Sequence, residues 1–161
     1  MSDDSEASAA GPSKIVSGGQ SGVDRGALDA AIELGIPHGG WCPRGRLAED
    51  GTIPSCYELT ETGSPEYYVR TERNVLASDA TLILYRGELK GGTALTQELA
   101  ARHGKPCLVV DLDHPPDLAE IRHWIAASHA DTLNVAGPRE SQSPGISARA
   151  AELIRRLFAE P

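Results

Sequence analysis

Apolar residues along this chain fall into two alternating textures: short unbroken runs, and longer stretches in which they recur every three or four positions. Lys14–Ser17 is a short strand that leads into a glycine-rich stretch, after which Val23, Ala27, Leu28, Ala31 and Leu34 keep helical spacing until Gly35 and Pro37 stop it. His38–Cys42 reads as a second short strand, whereas Pro43–Tyr57 mixes prolines and glycines with charges, holds no period, and reads as a long functional loop. Ser64-Pro65 and Glu66 mark a helix start, with Tyr68, Val69, Val75 and Leu76 giving an apolar stripe through Ala77. Ala80–Tyr85 (ATLILY) and Cys107–Leu112 (CLVVDL) are runs with no polar alternation, the signature of strands covered on both faces. Between them Leu95 and Leu99 belong to a helix closed by Gly104 and Pro106. Leu118, Ile121, Trp124, Ile125 and Ser128 share one helical face, Asp131–Ala136 makes the last strand, and Ala150, Leu153, Ile154, Leu157 and Phe158 form a closing amphipathic helix.

Strands that alternate with helices call for a parallel sheet with helices packed on both sides. The expected fold is therefore α/β: a Rossmann-like three-layer α/β/α sandwich around a mostly parallel sheet of about five strands. The 161 residues suit one domain, placed at 14–161, and the small and acidic residues 1–13 are expected to be a disordered tail. Aromatic residues make up only 4% of the chain, so the core must be aliphatic.

The formal charge of −8, three units of it from Asp3, Asp4 and Glu6, argues against nonspecific nucleic-acid or membrane partners. It does not exclude a small anion, because backbone amides and a few arginines set the local potential. Cys42, Cys56 and Cys107 are odd in number and follow no apolar leader, which predicts reduced thiols and a cytoplasmic protein. The five histidines and three cysteines lack zinc spacing, so no structural metal is expected. No apolar run approaches the roughly 20 residues that a membrane-spanning helix needs.

In such sheets ligands sit beyond the carboxyl ends of the strands, which directs attention to three glycine-rich bends. The first supplies Gly18, Gly19, Gln20, Ser21, Gly22 and Asp24: glycines where amides face a phosphate, a hydroxyl, and the positive end of a helix. The second, Gly91, Gly92 and Thr93, again joins a buried strand to a helix that carries Glu98. The third contributes Gly137, Arg139, Ser141 and Ser143, a guanidinium and two hydroxyls suited to phosphate or carboxylate oxygens. Arg44 and Arg46 in the long loop are candidates for closing over an anion. Arg70 either approaches the glycine edge or pairs with Glu66 at i, i+4 spacing. Asp111 and Asp113, near a strand end, carry no assignment.

The segments IVSGGQSGVDRGALDAAIELGIPHGGWCPRGRLAEDG, RTERNVLASDATLIL, GGTALTQELA, HGKPCLVVDL and LNVAGPRESQSPGI together resemble the molybdenum carrier family, the circularly permuted YpsA-like branch of the SLOG superfamily. The resemblance runs from Lys14 to about Phe158, with Ser21 standing where the family favours Thr. It implies a nucleotide-binding Rossmann-like fold, a homodimer or homotetramer, and a binding protein whose cargo is molybdenum cofactor (molybdopterin), a phosphate-bearing pterin. Two other readings stay open. Related phosphoribohydrolases carry PGGxGTxxE, with which Gly91, Gly92 and Glu98 keep register; the implied reaction is N-glycosidic cleavage of a nucleotide, with Glu98 and Arg70 in the catalytic roles. Lys90, Ala94 and Leu95 depart from that pattern. The third reading is a nucleotide sensor that undergoes no reaction.

Overall fold

The computed structural model describes residues 11–159. Five parallel strands make the main sheet, in the order β2 (His38–Gly39), β1 (Lys14–Val16), β9 (Thr132–Ala136), β7 (Ala80–Tyr85), β8 (Cys107–Asp111). Parallel neighbours cannot be joined by a tight turn, so the chain returns through helices. These are α1 (Val23–Leu34), α2 (Tyr67–Ala77), α3 (Gly91–Arg102), α4 (Leu118–Ala127) and α5 (Ile146–Phe158). The architecture is the Rossmann-like α/β fold that the alternating pattern predicts.

Register follows from the pleat. Ile15 stands beside Leu133 and Leu133 beside Ala80, so one face of three strands presents Ile15, Leu133, Val135, Ala80, Leu82 and Leu84 to α1, α4 and α5. All six are at most 1% exposed, and Leu82→Ala is worth about 2–5 kcal/mol of stability on that account. Gly26 permits close approach of α1 to α5, since a Cβ there would lie 2.2 Å from the Ser147 carbonyl oxygen. The opposite face, under α2 and α3, has a small apolar cluster of Val75, Leu99 and Ala100, but it also buries Thr81 and Asn134. Asn134 Nδ2 donates to Thr81 Oγ1 at 3.2 Å, which satisfies part of that polar surface.

Three boundaries differ from the sequence reading. Of the expected tail, residues 1–10 lie outside the described residues, whereas Pro12 is buried and Ser13 hydrogen-bonds through its amide and hydroxyl to Asp131. The expected strand His38–Cys42 divides at Gly40, whose φ of 128° and 2.2 Å approach to the Ser17 carbonyl oxygen leave no place for a Cβ. Beyond it β3 (Trp41–Cys42) leaves the main sheet and pairs with β6 (Thr60–Glu61). The long loop contains a small hairpin, β4 (Leu47–Ala48) with β5 (Gly51–Thr52), and is packed on a separate cluster of Leu28, Cys42, Ile53 and Tyr57.

Candidate functional site

The bends after β1, β7 and β9 meet at the carboxyl edge of the sheet, where the strand order turns back between β1 and β7. A cavity of about 90 Å³ opens there between α2, α3 and the end of β9. From the predicted residues its wall takes Gly18, Gln20, Asp24, Arg70, Gly92, Thr93, Gly137 and Arg139. All three bends are represented.

The first bend is occupied by side chains of its own chain. Gln20 N–H donates to Asp24 Oδ2 at 3.2 Å, Ser21 N–H to Gln20 Oε1 at 3.0 Å, and Val23 N–H to the Pro138 carbonyl at 3.2 Å. Arg70 resolves the choice left open by its spacing: it reaches the glycine edge, donating to the Gly18 carbonyl at 2.9 Å and approaching Asp24 Oδ2 at 3.4 Å. Gly18 makes room for it, since a Cβ there would stand 2.2 Å from the guanidinium. Burial raises the Asp24 pKa above its ordinary value, and the Arg70 charge and the Gln20 amide only partly oppose that rise.

Gly22 fastens the first bend to the third. It sits at φ 88°, and a Cβ would come within 2.3 Å of the Pro138 carbonyl oxygen and 2.7 Å of the Glu140 amide. Gly22→Ala is therefore expected to cost at least about 2 kcal/mol of stability, seen as a lowered urea midpoint. An unchanged midpoint would mean that these bends are not locked together.

A carboxylate from the long loop completes that junction. Glu49 accepts from Ser21 Oγ (2.5 Å), Ser141 Oγ (2.6 Å) and Ser141 N–H (3.1 Å), while its own amide donates to Gln20 Oε1 at 2.8 Å. Desolvation works to raise the Glu49 pKa, but the Ser141 and Ser21 hydrogen bonds outweigh it and, with Arg139 nearby, hold it below 4.5. A depressed carboxylate stabilises the fold above its unfolded pKa, and that contribution disappears as pH falls through the folded value. Glu49→Gln is thus expected to lower stability modestly at pH 7 and to match the parent once pH is well below 4.5, by urea titration. An equal deficit at both pH values would contradict this.

The second bend is different. α3 begins without a side-chain cap, and the amides of Gly91, Gly92 and Thr93 have no acceptor among the described residues. They carry the positive end of a 12-residue helix. Around Gly92 a Cβ would meet nothing within 4 Å, so the protein itself does not require glycine there. Arg139 lines the same cavity and is half-buried, and its side chain makes no hydrogen bond or ion pair among the described residues; its guanidinium rests 5.6 Å from the Tyr67 ring, and Arg70 lies 5.3 Å from the same ring. Uncapped amides and a guanidinium on residues that line one cavity are complementary to an anion.

The remaining predicted residues stand off the cavity. Ser21 and Ser141 are engaged by Glu49, and Gly19 packs on Ile53 and Leu59 instead. Gly91 lies at the helix start with φ 59°, and Ser143 N–H closes a turn onto Arg139 and Glu140. Arg44 is exposed and donates to the Gly63 carbonyl, and Arg46 ties the loop to the Ile53, Pro54 and Tyr57 carbonyls. Glu98 pairs with Arg102 at 2.9 Å on the solvent side of α3. Asp113 pairs with Arg86 and Arg149, a structural role.

Sequence reasoning missed Tyr67, Asn74 and Asn134. Asn74 clamps Trp41 through both its amide groups and so holds β3 beside the cavity. Asn134, in the middle of an otherwise apolar strand, was a visible signal, because a polar residue there needs a partner. Among the described residues no group of three or more His, Cys, Asp or Glu lies close enough to hold a metal ion, and no helix is long and apolar enough to cross a membrane. Burial pushes the Cys107 thiol up to about 11, which makes it a poor nucleophile.

No functionally curated protein matches the chain. A crystal structure named as a putative molybdenum carrier protein, from Syntrophus aciditrophicus SB, is 46% identical, with a TM-score of 0.89 over 93% of this chain and 96% of that one. Residues 15–158 match the circularly permutated YpsA SLOG family. With a likeness that spans nearly the whole fold in both comparisons, the chain belongs to that family.

Proposed function

We propose that the chain binds a phosphate-bearing small molecule and holds its phosphoryl group between the start of α3 and Arg139. One observation carries this reading: Gly92, Thr93 and Arg139, whose amides and guanidinium have no acceptors among the described residues, line the same cavity. At about 90 Å³ the cavity falls below the roughly 300 Å³ of a complete small-molecule site. It suits the anionic head of a ligand whose remainder extends over Tyr67 and Tyr68.

The cargo that fits the name of the solved relative is molybdenum cofactor, carried rather than transformed. The cavity residues suit its phosphate; among the described residues there is no group of three or more His, Cys, Asp or Glu for the metal itself, so the metal would travel on the pterin. We take the protein to work in the cytoplasm as a homodimer or homotetramer, which light scattering checks.

The second reading, hydrolysis of a nucleotide, needs a carboxylate free to act on the scissile bond or on water. Asp24 is the one carboxylate on the cavity wall among the described residues, and Arg70 and the Gln20 amide hold it; Glu98 faces solvent. That distribution favours binding. Native mass spectrometry with metal analysis on freshly purified protein is expected to show a phosphorylated pterin with molybdenum. Release of free base from nucleoside monophosphates would instead establish the hydrolase.

A further inference from the structure

The two tyrosines that open α2 line the same cavity in different states. The Tyr67 ring is half-buried and already engaged, with the Arg70 and Arg139 guanidiniums 5.3 and 5.6 Å from its centre. Tyr68 is 52% exposed, and among the described residues its side chain makes no hydrogen bond, meets no guanidinium and joins no apolar cluster. It is the one aromatic among the exposed large apolar side chains of those residues; the others, Ile32, Leu47 and Leu76, are not on the cavity wall.

An exposed apolar side chain is ordinary in itself. This one stands where the cavity meets solvent: of the wall residues only Tyr68, Gly92 and Gln142 are exposed, whereas Asp24, Arg70 and Asn134 are buried. Gly92 puts no side chain into that mouth. A cavity of about 90 Å³ has no room for more than the phosphoryl end of a ligand, so the remainder leaves through the mouth and meets Tyr68. An accessible tyrosine ring with no partner of its own offers apolar area and a π face, which any flat heterocycle can cover whatever groups its edge carries. We infer that Tyr68 is the platform on which a planar ring of the ligand stacks, so that the site prefers phosphates of flat heterocycles, mononucleotides and phosphorylated pterins alike, to plain sugar phosphates. The neighbouring tyrosines thus divide the work: Tyr67 steadies the arginines, and Tyr68 takes the ring.

The inference rests on phosphate binding at Arg139 and the start of α3, and AMP and ribose 5-phosphate test the two separately, since they share the phosphorylated ribose and differ in the base. By calorimetry the wild type is expected to bind AMP about tenfold more tightly than ribose 5-phosphate. Tyr68→Ala is expected to bring the two within about twofold by weakening AMP alone, and Tyr68→Phe, which keeps the ring, to retain the preference. Both variants should unfold at temperatures near that of the wild type, because the Tyr68 side chain holds nothing in the fold. No preference for AMP in the wild type, or one that survives Tyr68→Ala, overturns the role of Tyr68 and leaves phosphate binding standing. Loss of the preference in Tyr68→Phe would assign the effect to the hydroxyl and overturn stacking. If neither compound nor inorganic phosphate binds the wild type, or if Arg139→Ala leaves binding unchanged, the phosphate reading itself falls.

Discussion

Arg139→Ala is expected to weaken binding of a phosphorylated ligand by about 10- to 100-fold while leaving the fold nearly as stable as before. The asymmetry follows from its surroundings. The Arg139 side chain makes no hydrogen bond or ion pair among the described residues, and its one aromatic contact, with Tyr67 at 5.6 Å, is worth about 0.5–1 kcal/mol. A charged hydrogen bond to a phosphoryl group is worth about 1.5–3 kcal/mol, which sets the loss in affinity. Arg139→Lys keeps the charge without the planar fork and should fall between the two. A drop in thermal stability with unchanged affinity would reverse the assignment and make Arg139 structural.

Arg70→Ala should show the opposite profile, a loss of about 3–5 kcal/mol in stability at pH 7. Arg70 and Asp24 side chains are 9% and 10% exposed, so the substitution strands a carboxylate away from water and also removes donors from the Gly18 and Tyr67 carbonyls. The pH dependence has a definite sign. Burial already raises the folded pKa of Asp24 above 3.8, and without the Arg70 charge it rises further. A folded state that binds a proton more readily than the unfolded chain gains stability as pH falls from neutral through the folded pKa, and the gain ends near 3.8. Urea unfolding at pH 7 and pH 5 is therefore expected to show the variant recovering part of its deficit at the lower pH. A loss below about 1 kcal/mol at pH 7, unchanged at pH 5, would mean that the pair contributes little.

The parallel, two-sided sheet was legible because runs such as ATLILY and CLVVDL carry no polar alternation, and the three bends stood out because glycines cluster where such strands end. What occupies each bend was not legible. Glu49 lies 28 residues from Ser21 and 92 from Ser141, and no local pattern announces that a loop carboxylate will take up hydroxyls which, read alone, suit a phosphate. Glu98 shows the limit of motif register. It keeps its spacing from Gly92, but six residues on a helix turn it about 240° around the axis, away from the cavity and toward Arg102. Tyr67 carries no signal of its own in the sequence, and only the folded arrangement brings two arginines to its ring. Gly92 and Gly22 are chemically identical in the sequence, yet one faces open space and the other a carbonyl at 2.3 Å.

The most direct test is an amide NMR titration with inorganic phosphate, residue by residue. Saturable downfield shifts are expected at Gly92 and Thr93, with Gln20 and Ser21, whose amides already have acceptors, essentially still. Shifts confined to the Gly18–Gly22 bend, or no saturable shift at Gly92 and Thr93, would contradict an anion site at the start of α3.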